Sequence, residues 1–222
     1  MADLPIDVAE EASARRTFIW AVEWPGWCRS GKDRDLAIGS LIDHAARYAN
    51  VARAAGFDFP AMVASDVRIV ESVGGGAGTE FGVPSAIIEL DRREVTRTDA
   101  ERLASLVEAA WTILDGVADK APPILRKGPR GGGRDTAKVI DHVVDADHAY
   151  AREVGVRLKP PSLGDREAVK AERAAVLDVF RQPSDGSPLA ERKWTLRYAA
   201  RRIAWHALDH AWEIEDRTEP TE

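Results

Sequence analysis

The stretch from Trp194 to about Asp216 constrains the fold more than any other part of this chain. Read at a helical period, it places Leu196, Ile203, Ala207 and Ile214 on one stripe. Tyr198, Trp205 and Trp212 recur every seven residues on a different side, with Leu208 between them. A helix that is apolar on two sides is usually buried between layers, the alternative being a partly exposed aromatic face. Its aromatic side is therefore expected to pack on the N-terminal part of the chain, or on a second copy in a homodimer.

Three more amphipathic helices precede it. Thr98 and Glu101 form a capping-box signature, and Leu103, Leu106, Val107, Ala110, Leu114 and Val117 follow as one stripe that Pro122 and Pro123 end. Asp135 reads as the N-cap of a helix closing at Gly155, with Val139, Val143, Ala146 and Tyr150 on its apolar face. Asp165 to Arg181 reads as the third helix, buried through Val169, Val176, Leu177 and Phe180, before Pro183, Gly186 and Pro188 break the chain. Four such helices fit a bundle with an inward-facing site.

The N-terminal part has another pattern. After a short polar lead, Thr17 to Val22 has strand composition, Pro25 and Gly26 turn the chain, and Asp33 to Ala55 reads as a helix stopped at Gly56. Ala64 to Val73 reads as a second strand alternating through Val67, Ile69 and Ser72, while Val83 to Leu90 is apolar without a clear period. The expected fold is α+β and mostly α, with a small α+β unit over residues 15–92 and a four-helix bundle over residues 98–217.

Composition narrows the function. A net charge of −6 argues against non-specific nucleic-acid binding, which requires a positive footprint. No apolar run approaches the roughly 20 residues of a membrane span, and the N-terminus lacks the pattern of a secretory signal, so a cytoplasmic protein is expected. With Cys28 as the one cysteine, a transition metal must use histidine and carboxylate.

His206 and His210 stand at i and i+4 and can share an ion. At about 100° per residue, His142 lies on the flank of its helix's apolar stripe, whereas His148 points to the opposite side, toward solvent. His142, His206 and His210 are thus the candidate ligands, with Arg202 and Glu213 along the same border. The alternative is that the pair at 206 and 210 sits at the core edge, satisfied by neighbours such as Asp209 and Glu213.

Residues 98–217 resemble the DinB-like superfamily of four-helix bundles, most clearly in RRIAWHALDHAWEIEDR (Arg201 to Arg217) and KVIDHVVDADHAYAREVG (Lys138 to Gly155). That superfamily carries one metal-ligating histidine on its second helix and an HxxxH pair on its last, and includes thiol-dependent transferases and isomerases. The resemblance therefore implies a divalent ion on His142, His206 and His210. The segment FIWAVEWPGWCRSGKDRDLAIGSLIDHAARYA (Phe18 to Ala49) is similar to HicB-like domains, with a strand, a Pro-Gly turn and a helix; this implies a partner-binding unit. His44 within it reads as a surface residue.

Three neutral imidazoles leave a coordination position open, as in catalytic zinc sites. Imidazole suits several transition metals, with zinc or nickel the ions expected here. A thiolate held there would stay deprotonated and nucleophilic, so a low-molecular-weight thiol is the expected cosubstrate, and transfer or isomerisation of a small molecule the expected chemistry. Asp145, Asp209 and Glu213 are candidates to orient the ligands or act as a base, with surface ion pairs as the alternative. Arg202 and Arg134 are candidates to face substrate, Arg134 from the basic glycine-rich loop RKGPRGGGR (Arg126 to Arg134). The competing function is a non-catalytic binding protein with a structural or vestigial metal and a HicB-like partner-binding unit.

Overall fold

The N-terminal lead is not a polar coil but a strand, β1 (Ile6–Ala12), in the computed structural model, which describes residues 5–60, 67–128, 133–162 and 164–218. Its acidic residues concealed it, and both are buried because each finds partners. Glu10 receives two hydrogen bonds from Arg34, at 2.8 and 2.7 Å. Glu11 accepts from the Thr79 hydroxyl and from the backbone N–H groups of Ser85 and Ala86. Buried carboxylates satisfied in this way are tolerated inside a sheet.

β1 pairs antiparallel with β2 (Thr17–Ala21) and parallel with β4 (Val67–Gly74), and β2 pairs antiparallel with β3 (Cys28–Gly31). The four-stranded mixed sheet has the order β3-β2-β1-β4. In β4 the half-buried set is Val67, Ile69, Glu71 and Val73 rather than one including Ser72. The earlier part of that expected strand, 64–66, lies outside the described residues. Val83 to Leu90 forms a loop that closes in a 3₁₀ turn over Glu89–Arg92.

The helix expected from Asp33 to Ala55 is two, α1 (Arg34–Asp43) and α2 (Ala45–Ala54), broken at His44. His44 is half-buried rather than on the surface; its Nδ1–H donates to the Ser40 carbonyl at 2.8 Å, and its ring lies 5.1 Å from that of Trp212. A short helix, α3 (Ala77–Glu80), follows β4. The bundle consists of α4 (Arg97–Lys120), α5 (Thr136–Glu153), α6 (Arg166–Phe180) and α7 (Leu196–Arg217). The capping box of α4 sits two residues earlier than its signature, on Thr96 and Asp99. Gly155 ends α5 with φ +91°, the left-handed conformation that favours glycine. Each bundle helix packs on two others, in the cyclic order α4-α7-α5-α6.

α7 sits between the sheet and the remaining bundle. Its aromatic side meets the N-terminal elements: Trp205 is edge-on to Phe18 at 6.2 Å, Tyr198 donates to the Ser85 carbonyl, and Trp212 lies under Arg29 and His44. The Pro25-Gly26 turn rests directly on it. Gly26 has φ +91°, and a Cβ there would lie 2.8 Å from Leu208 Cδ1 and 3.0 Å from Ala204. One apolar core runs through both parts of the chain, joining Ile19, Trp27 and Leu41 to Val107, Leu114, Val143 and Ile203. Among the described residues, no helix is long and apolar enough to cross a membrane.

Two buried charges test this packing. Arg201 on α7 is forked onto Asp91 at 2.8 and 2.7 Å, between the rings of Trp20 and Tyr198. Replacing Asp91 with Ala strands a buried guanidinium and is expected to cost about 3–5 kcal/mol in denaturant unfolding. Asp147 on α5 is buried, its carboxylate oxygens lack hydrogen bonds among the described residues, and Arg173 Nε stands 3.5 Å away. Burial outweighs that neighbour and raises the Asp147 pKa to about 7. A raised carboxylate pKa contributes stability fully below its unfolded value, about 3.9, and loses it as pH rises through about 7. The difference in unfolding free energy between wild type and Asp147→Asn should therefore shift against wild type from pH 5 to pH 8; a constant difference would contradict this.

Candidate metal centre

The two histidines of α7 and the one on α5 converge because α5 and α7 are bundle neighbours and all three rings face the seam between them. His206 Nε2 and His142 Nε2 are 3.3 Å apart, and ring centroids lie 5.1 Å (142 to 206), 5.0 Å (142 to 210) and 4.7 Å (206 to 210) apart. One nitrogen from each residue falls within 4.8 Å of the others. An ion with metal–nitrogen bonds of about 2.0–2.1 Å in tetrahedral geometry separates its ligand atoms by about 3.3 Å, so the 142 to 206 pair already has the spacing of two ligands. Two such nitrogens cannot both carry protons at this distance: they share either a proton or a cation.

The electrostatics keep lone pairs available. Burial lowers the His206 pKa to about 2, helped by His210, Arg202, His142 and Arg134, and His206 is only 6% exposed. Burial also lowers the pKa of His142, with Arg134 and His210 acting in the same direction. Buried imidazoles held neutral in this way are competent ligands at neutral pH. His210 Nδ1 is 2.8 Å from Glu213 Oε2, which leaves its Nε2 for the cluster. Glu213 is thereby held below the usual carboxylate range by His210 and Arg217. A carboxylate behind a ligand histidine fixes the ring's tautomer and orientation. His206 Nδ1 is buried without a hydrogen-bond partner among the described residues. With three imidazoles and, among the described residues, no carboxylate, the cluster suits a transition ion rather than an oxygen-seeking one.

The other candidates fall in different places. Arg202 is buried beside His206 but donates to the Tyr150 hydroxyl at 3.0 Å and stacks over Trp205 and Tyr150. Asp209 turns away from the histidines and pairs with Arg29 on β3 at 2.9 Å. Asp145 is exposed and acts on His142 only through its charge. Arg134 is also exposed; its charge reaches His142 and His206, while its carbonyl accepts from Arg217. The centre of the basic loop, 129–132, lies outside the described residues.

Three features were not anticipated. Tyr150, read as an apolar stripe position, stands edge-on to His206 at 5.6 Å with its hydroxyl on Arg202. Trp194 covers Tyr150 from the α6–α7 connection, ring centroids 5.1 Å apart. His148 is not solvated: its Nδ1 lies 2.6 Å from the buried Glu172 of α6. The projection placed His148 off the main apolar stripe of α5 but could not show that α6 covers that side. No family model, curated protein or solved structure matches this chain.

Glu213 offers a direct test of the cluster. Changing it to Gln leaves the fold's apolar contacts intact but removes the charged acceptor on His210, and zinc affinity measured by chelator competition should fall about 10–100-fold. Unchanged affinity would remove Glu213 from the site.

Proposed function

We propose that this chain is a divalent-metal-binding protein of the DinB-like kind, holding zinc or nickel on His142, His206 and His210, and that it uses the ion in thiol-dependent transfer or isomerisation of a small molecule. The observation that carries this reading is the convergence of three imidazoles from two helices, one nitrogen of each within 4.8 Å of the others, with no carboxylate or thiolate among the described residues in the cluster. When bound, such an ion would hold a thiol as its thiolate and supply a nucleophile at neutral pH.

The chain's own residues would do the rest. Glu213 holds His210 by its Nδ1. Arg202, fixed by Tyr150 and Trp205, gives the seam a positive potential suited to an anionic group. Tyr150 and Trp194 wall the His206 side with apolar rings, which limits water there. The N-terminal part, in which β2, the Pro-Gly turn, β3 and α1 follow one another, is read as a HicB-like partner-binding unit.

One observation favours a second reading, in which the ion is structural. α7 carries two of the three ligands and is also the most deeply buried helix, so a metal there could serve stability alone.

Elemental analysis of purified protein separates these readings from no metal at all. Wild type should carry about one zinc or nickel per chain, and a His206→Ala, His210→Ala variant close to none; equal content in both would eliminate the site. Conjugation of a small thiol to an electrophilic acceptor should then proceed with metal and stop with chelator. Metal-independent conjugation, or a chelator effect on melting temperature alone, would reject the enzyme reading.

A further inference from the structure

The last residue of α7 joins two features that the site leaves separate. Arg217 Nη1 donates to Glu213 Oε1 at 2.7 Å, while the other oxygen of that carboxylate holds His210. The same guanidinium donates through Nε to the Arg126 carbonyl at 2.9 Å and through Nη2 to the Arg134 carbonyl at 2.7 Å. These are the two ends of the basic glycine-rich segment. The attachment is reinforced by the Arg126 N–H, which donates to the Arg217 carbonyl at 2.9 Å, and by Arg126 Nη2 on the Asp216 carbonyl at 2.7 Å. Gly133 takes a φ of +127° that favours glycine, and a Cβ on it would lie 2.5 Å from Arg217 Nη2, so a side chain there would displace the guanidinium.

We propose that Arg217 is a positioning residue that couples the metal centre to the basic loop, its one guanidinium fixing both Glu213 behind His210 and the two ends of the segment from Arg126 to Arg134. The inference rests on the metal reading above. A planar fork can address three acceptors in fixed directions, which a lysine ammonium on a flexible stem cannot do. An ion on His210 fixes that ring, the ring orders Glu213, and Glu213 orders the guanidinium that staples the loop. By linkage, whatever stabilises the loop ends in this arrangement strengthens metal binding to the same extent. The site would therefore control where Arg126, Lys127 and Arg134 stand, and ligands that engage those cations would act back on the metal.

The test uses the full-length protein with zinc as the probe, and follows by mass spectrometry the rate of tryptic cleavage after Lys127 and Arg134. In wild type, zinc is expected to slow these cuts several-fold. In Arg217→Ala, zinc affinity should fall about 10-fold and the zinc dependence of cleavage should disappear. Arg217→Lys, which keeps a charge near Glu213, should recover most of the affinity but not the loop's response to zinc. Melting of the zinc-free proteins confirms that the variants are folded. The coupling is overturned if wild type binds zinc and its loop cleavage is unaffected, a result that needs no variant, or if Arg217→Ala retains wild-type affinity and protection. Wild type that binds no zinc or nickel instead overturns the metal reading, and this inference with it.

Discussion

The structure depends on the nearly complete burial of α7. Sixteen of its residues are buried, including Arg197, Arg201, Arg202 and His206. A helix covered on one side would need only one apolar stripe; this one is covered by the sheet and its loops on one side and by α4 and α5 on the other. Its polar residues are consequently held in specific pairings, since a buried charge without a partner is costly. Arg201 is matched by Asp91, Arg202 by the Tyr150 hydroxyl and two aromatic faces, and His206 by its placement among other imidazoles.

This also explains how the site is positioned. His206 and His210 are fixed by the same packing that fixes Trp205 and Trp212 against the N-terminal strands, so the candidate ligands inherit the rigidity of the core. α5 contributes His142 across the seam through the bundle's cyclic packing. The seam is polar because Arg202, Tyr150 and Glu213 line it, yet its walls are aromatic, so an ion or anion there would sit in reduced dielectric.

How much was legible follows from which forces act locally. Helical periodicity located α4 to α7 within a few residues, because each stripe is long and the proline and glycine stops are strong. It also placed His142 with the pair on α7, since projection about a helix axis is a local property. β1 was not legible, because Glu10 and Glu11 read as solvent-facing until Arg34, Thr79 and the 85–86 backbone are brought to them. The break at His44 depends on one imidazole finding the Ser40 carbonyl. The Glu172 partner of His148 and the Arg29 partner of Asp209 come from distant elements, which no spacing rule within one helix can reveal. Arg217 escaped notice because its role lies in carbonyl groups far along the chain.

The interposed position of α7 has a consequence for synthesis on the ribosome. The strands that carry Phe18, Trp20 and Cys28 are made well before Trp205, which covers that face and follows about 185 residues later. Until then the sheet exposes an apolar face, and the aromatic pocket of Trp24, Trp27, Tyr48 and Phe59 lacks the helix on which its Pro-Gly turn rests. The nascent chain therefore carries unsatisfied surface from the synthesis of these strands until α7 arrives.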